Sequence, residues 1–143
     1  MRSSDMINAP EALVLTMVLV SAADGGMTDR EIEVMSGLVQ TLPAFQDFTT
    51  GELAGATDRA ANLLHEDDGL AHAARLMRAA LNHRLRETAY FLACEVVAGG
   101  DGARRRSLDM VEFVRSELGL DALVATAIER GVRARYQRAE PSD

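Results

Sequence analysis

The chain has 143 residues, 48% of them apolar, and a formal charge of −7. That length is enough for one domain with a full-sized core, and the apolar content excludes a largely disordered chain. The negative charge argues against nucleic-acid binding through phosphate neutralisation, and a lone cysteine excludes an internal disulfide or a thiolate zinc cluster.

Pro10 and Glu11 suit a first helical turn, with Asn8 or Ala9 before it. The run from Glu11 to Ala23 is apolar nearly all round, which predicts a helix inside the fold. Asp24-Gly25-Gly26 stops it. Thr28 and Glu31 have the spacing of a capping box, and Ile32, Met35, Leu38, Val39 and Leu42 give the second helix a buried stripe that Pro43 ends. Thr49 or Thr50 caps a third helix to about Leu64. After the break "HEDDG", a fourth runs from Leu70 to about Leu81 and a fifth from about Arg84 to Val97. Gly99-Gly100-Asp101-Gly102 interrupts the chain again. Leu108, Val111, Val114 and Leu118 mark a sixth helix stopped by Gly119, and Asp121 caps a seventh from Ala122 to about Arg135. Nothing reads as alternating strands. The expected fold is all-α, about seven helices in one domain spanning residues 1–143, with an ordered core over 9–136 and frayed termini.

The segment before residue 11 has no apolar core of a secretory signal, and Leu13 to Val20 is too short to span a bilayer. A cytoplasmic protein without membrane insertion is therefore expected. All basic residues are arginine, and before Leu70 only Arg2, Arg30 and Arg59 oppose many acids, whereas later arginines slightly outnumber acids. An acidic half and a mildly basic half follow if the fold keeps that division.

The first two helices can be laid over the fifth and sixth. Leu15 then falls on Leu92, Leu19 on Val96 and Asp24-Gly25 on Asp101-Gly102; after a one-residue gap, Ile32 falls on Leu108, Met35 on Val111 and Leu42 on Leu118. Each copy is a buried helix, an Asp-Gly turn and an amphipathic helix, so two hairpins packed about an approximate twofold are expected. With these features, "LVSAADGGMTDREIEVM" resembles the signature of the tellurite-resistance TerB family, and "FLACEVVAGGDG" resembles its second copy. "TLPAF", "RLRETAYFLACEV" and "ELGLDALVATAIERG" extend the likeness over nearly the whole chain. The resemblance implies an all-helical pseudo-twofold domain, acidic residues associated with metal cations, a link to chemical stress, and relatives fused to chaperone modules. It also implies a glutamate early in the helix after each Asp-Gly. Glu31 meets that pattern, whereas the second copy has Ser107 there, Asp109 two residues on, and Arg104-Arg105-Arg106 before it.

The candidate metal ligands are therefore Asp24, Glu31, Glu95 and Asp101, carboxylates that with loop carbonyls would suit a divalent cation such as Ca²⁺ or Mg²⁺. The competing reading makes Asp24 a turn residue and Glu31 a helix cap. Glu95 lies inside an apolar helix, where a charge is costly unless paired. Its alternative role is an ion pair with Arg84 or Arg86 in a neighbouring copy, or with Arg130 in the last helix. His65, His72 and His83 lack zinc-ligand spacing, and Cys94 sits in an apolar helix without an activating neighbour. The function expected is non-enzymatic: a cation-binding or interaction module with an unidentified protein partner. The alternatives are a metal-free, co-chaperone-like interaction module and, more remotely, a metal-assisted hydrolase.

Overall fold

A computed structural model describes residues 6–100 and 105–139. Among them all regular structure is helical, in seven α-helices with no strand: α1 Ala9–Ser21, α2 Asp29–Thr41, α3 Thr50–Leu64, α4 Gly69–Ala80, α5 His83–Gly99, α6 Arg105–Glu117 and α7 Ala122–Arg135. Short 3-10 turns at Ala22–Asp24 and Pro43–Phe45 complete the order.

The helices start where side chains satisfy free backbone amides. Asn8 with Glu11, Thr28 with Glu31 and Thr49 with Glu52 each form a reciprocal capping box, and Asn82 and Asp121 cap α5 and α7. Each such cap stabilises its helix by about 1 kcal/mol. The first helix ends two residues earlier than its apolar run suggests, because the chain tightens into the Ala22–Asp24 turn and then Gly25 adopts φ +113°, which only glycine takes without strain. Gly119, at φ +66°, follows α6 as expected. Asp68 precedes α4 with φ +57°.

α1 is the centre. Every residue from Ala12 to Ser21 is buried, and its two interior hydroxyls are satisfied locally: Thr16 Oγ1 donates to the Ala12 carbonyl at 2.9 Å, and Ser21 Oγ lies 3.8 Å from Met35 Sδ. Each fully buried leucine here contributes about 1.5–3 kcal/mol of apolar transfer energy. α1 packs most closely on α5 and α3. The helices after the two Asp-Gly turns cross over: α2 lies on α5, and α6 lies on both α5 and α1. α7 packs on α5. All seven helices contribute to one continuous apolar cluster or to the side chains packed against it.

Three residues in register with these helical stripes are exposed. Ile32 is 46% exposed, Leu70 37% and Leu108 51%. Their neighbours one turn on, Met35, Ala73 and Ala74, are buried. The apolar faces of α2, α4 and α6 are thus wider than the elements that cover them. Ile32 and Leu108 are also the pair that the repeat superposes, so the same position is left open in both copies.

Candidate functional site

Two of the candidate acids, Glu31 and Glu95, lie around the C-terminal end of α5, where three elements meet. α2 arrives with its N-terminus: Arg30 Nε donates to the Gly99 carbonyl at 2.9 Å, and Glu31 lies against Gly100. A methyl group placed on Gly100 would come within 2.9 Å of Glu31 Cγ and 3.5 Å of its Oε2. α7 arrives with its last turn. A methyl group on Gly99 would sit 2.7 Å from the Tyr136 hydroxyl and 3.1 Å from Val34 Cγ2. The glycine pair therefore does more than end a helix. It removes the side chains that would hold α2 and α7 away.

Glu31 is used in its own helix cap. Its Oε1 accepts from the Thr28 amide at 2.9 Å, while its amide donates to Thr28 Oγ1 at 3.2 Å. Glu95 is fully buried. Arg135 donates from Nε to its Oε2 at 2.5 Å and from Nη2 to its Oε1 at 3.0 Å, and the Tyr136 hydroxyl donates to Oε1 at 2.9 Å. The ion pair expected at Glu95 thus exists, with a different partner. Arg86, one of the three arginines suggested by sequence, instead donates to the carbonyls of Leu81 and Arg78 and closes the end of α4. Neither Arg84 nor Arg130 bonds to Glu95. The reason is geometric: Arg135 lies at the end of α7, level with the end of α5, whereas Arg130 lies more than a turn earlier. Bonding to Glu95 raises the Arg135 guanidinium above its already high range, and burial followed by the Glu95 bond raises the Tyr136 hydroxyl.

Asp24 closes the Ala22–Asp24 turn, and its side chain lies outside the described atoms; Asp101 lies outside the described residues altogether. The structure therefore brings Glu31 to the residue preceding Asp101, and places Glu95 deeper, at the far side of Gly99. Among the described residues no three His, Cys, Asp or Glu side chains group to hold a metal ion, a set that excludes Asp101 and the Asp24 side chain. The membrane reading has one structural counterpart: no described helix is long and apolar enough to cross a bilayer.

Two surface concavities open beside these elements. One, of about 510 Å³, opens between α5, α6 and α7. At its wall Tyr90, almost fully buried, donates to Glu129 Oε2 at 2.5 Å. Burial pushes the neighbouring Cys94 thiol up to about 12, which makes it a poor nucleophile. The other is a pair of hollows set along one face of α3. It comprises a cavity of about 400 Å³ between α2 and α3 and one of about 430 Å³ beneath the Gly25-Gly26 turn, with Met27 lining both. Sequence spacing identified the Asp-Gly turns but not these hollows, whose only trace is the unexpectedly open Ile32, Leu70 and Leu108. In comparisons with protein-family models, curated proteins and solved structures, the chain matches none.

Proposed function

We propose that this chain is a non-enzymatic helical interaction module in which the role of the acids is structural and no metal is required. The observation that carries this reading is the engagement of the two acids with described side chains. Glu31 closes a capping box and Glu95 is held by Arg135 and Tyr136. A carboxylate already satisfied in this way gains little from a cation, which would first have to displace its donors. The open apolar positions at Ile32, Leu70 and Leu108 support an interaction role, since apolar patches rimmed by polar residues mark contact surfaces. The two-hairpin, pseudo-twofold arrangement of the TerB-like reading belongs to the same proposal. It is supported by the crossing of α2 onto α5 and α6 onto α1, and by matched burial of Leu15 with Leu92 and Leu19 with Val96. A role in chemical stress rests on the resemblance alone.

A second reading keeps a cation at the turns. Glu31 uses Oε1 for its cap while Oε2 faces Gly100, the residue before Asp101. In this version Asp24, Glu31 and Asp101 would share a Ca²⁺ or Mg²⁺, and Glu95 would serve as the ion-paired support behind them. Calorimetric titration of chelator-treated protein with each ion separates the two. The metal-free module gives no saturable heat up to millimolar ion; saturable binding lost in Glu31→Gln would establish the second reading in its place.

A further inference from the structure

The hollow along α3 has the shape of a cradle for another helix. Leu53, Ala54, Thr57, Ala61 and Leu64 line it at the 3–4 residue spacing of one helical face. They extend along most of the 15-residue helix, whose full length is about 22 Å at the rise of an α-helix. The small side chains Ala54, Thr57 and Ala61 allow a close backbone approach in the middle. Across from them Met27 and Met35, flexible and polarisable, line the α2 side. Ile32 stands exposed on that wall and Leu70 at the far end.

Charge decides what would lie there. Asp58 lines the hollow, and Asp29 and Glu33 flank Ile32 and Ser36 on the exposed side of α2 by helical spacing. Among the described residues none of these three acids has an ion-pair partner. The two arginines of this half that the structure describes point elsewhere: Arg30 to the Gly99 carbonyl, and Arg59 to Glu11 Oε2 at 2.9 Å. Among the described residues no arginine lines either cavity. The groove between α5, α6 and α7 differs, because Arg133 accompanies Glu112 and Glu129 there and the charges are mixed.

We infer that the α3 trough is a docking site for an amphipathic helix of a partner protein, with an apolar stripe along α3 and arginine or lysine on its flanks. Apolar contact supplies the affinity and the unpaired acids select the sign of the partner. This rests on the interaction-module reading and names its partner class.

The test uses two synthetic 16-residue helical peptides with leucine at i, i+3, i+4 and i+7, one with lysine and one with glutamate at the remaining positions. Binding to the full chain, labelled with ¹³C at its methionine methyls, is followed by NMR. The lysine peptide is expected to shift Met27, which is only half-buried and lines both cavities, and to leave the deeply buried Met17 and Met77 unmoved. Its affinity should fall at least tenfold in Ala54→Arg, an exposed position, and also when salt is raised severalfold; the glutamate peptide should give no such shifts. Equal binding of both peptides, shifts confined to other methyls, or no shift with millimolar lysine peptide would overturn the proposal. So would sedimentation showing a dimer that Ala54→Arg dissolves, which makes a second copy the occupant. The cation titration is scored separately: a chain that binds Ca²⁺ and still takes the lysine peptide refutes the metal-free reading alone. A chain that binds neither refutes the trough alone.

Discussion

Arg135 closes on Glu95 with two nitrogens although the two residues differ entirely in exposure: the carboxylate is 0% exposed, and the arginine side chain 57%. The buried partner is therefore the vulnerable one. Arg135→Ala would leave a carboxylate inside the fold with only the Tyr136 hydroxyl for support. The expected cost is roughly 3 kcal/mol, at the low end of the range for a broken buried pair because the arginine is open to water. Replacing both residues by methionine should recover most of that loss. A double-mutant cycle in urea measures both outcomes, and equal destabilisation by the single and double variants would refute the idea.

The glycines of the chain are not equivalent. At Gly99 an added methyl meets the Tyr136 hydroxyl and Val34, so Gly99→Ala should destabilise by about 1–3 kcal/mol through overpacking. Gly37, inside α2, has no atom within 4 Å of the position a methyl would take. Gly37→Ala should stabilise by about 0.5–1 kcal/mol through helix propensity. Thermal unfolding of the two variants side by side should show midpoints moving in opposite directions.

Glu31 offers a substitution that separates its two roles. Glutamine preserves the reciprocal bond to the Thr28 amide, so Glu31→Gln should change stability by less than about 0.5 kcal/mol. Thr28→Ala removes the other half of the box and should cost about 1 kcal/mol. Urea midpoints in chelator provide the comparison. A large loss in Glu31→Gln would mean that its charge, rather than its cap, is what the fold needs.

Alkaline pH should weaken the fold in a defined window. Burial lifts Cys94 from its ordinary value near 9 to about 12 and raises Tyr90 as well. Below pH 9 the thiol is protonated in both folded and unfolded chains, and its contribution is fully present. Between pH 9 and 12 the unfolded chain gives up a proton that the folded chain retains, so stability falls with rising pH. Urea midpoints measured across this range should decline, less steeply in Cys94→Ala. Thiol reagents at pH 8 should label Cys94 slowly unless denaturant is present.

Much of this architecture is written locally. The Thr28–Glu31 and Thr49–Glu52 boxes, the stops at Gly25 and Gly119, and the apolar circumference of α1 all depend on residues within a few positions of each other. Periodicity therefore places seven helices with end errors of one to a few residues. What it does not place is the coverage of each face. Ile32, Leu70 and Leu108 satisfy helical periodicity as well as Met35 does, and only the three-dimensional arrangement leaves them open. The Glu95 partner was hidden for a related reason. That an arginine on the last helix would answer a buried acid is legible, but choosing Arg135 over Arg130 requires knowing how far α7 runs along α5.

The 40-residue separation between Glu95 and Arg135 also orders events in time. A ribosome finishes α5 well before it makes the arginine that neutralises that helix, so the nascent chain carries an unanswered acid in α5. Hydrophobic collapse of the earlier helices has to wait, or proceed with that carboxylate still hydrated, until α7 emerges. The last helix is in this sense the step that commits the chain to its native core.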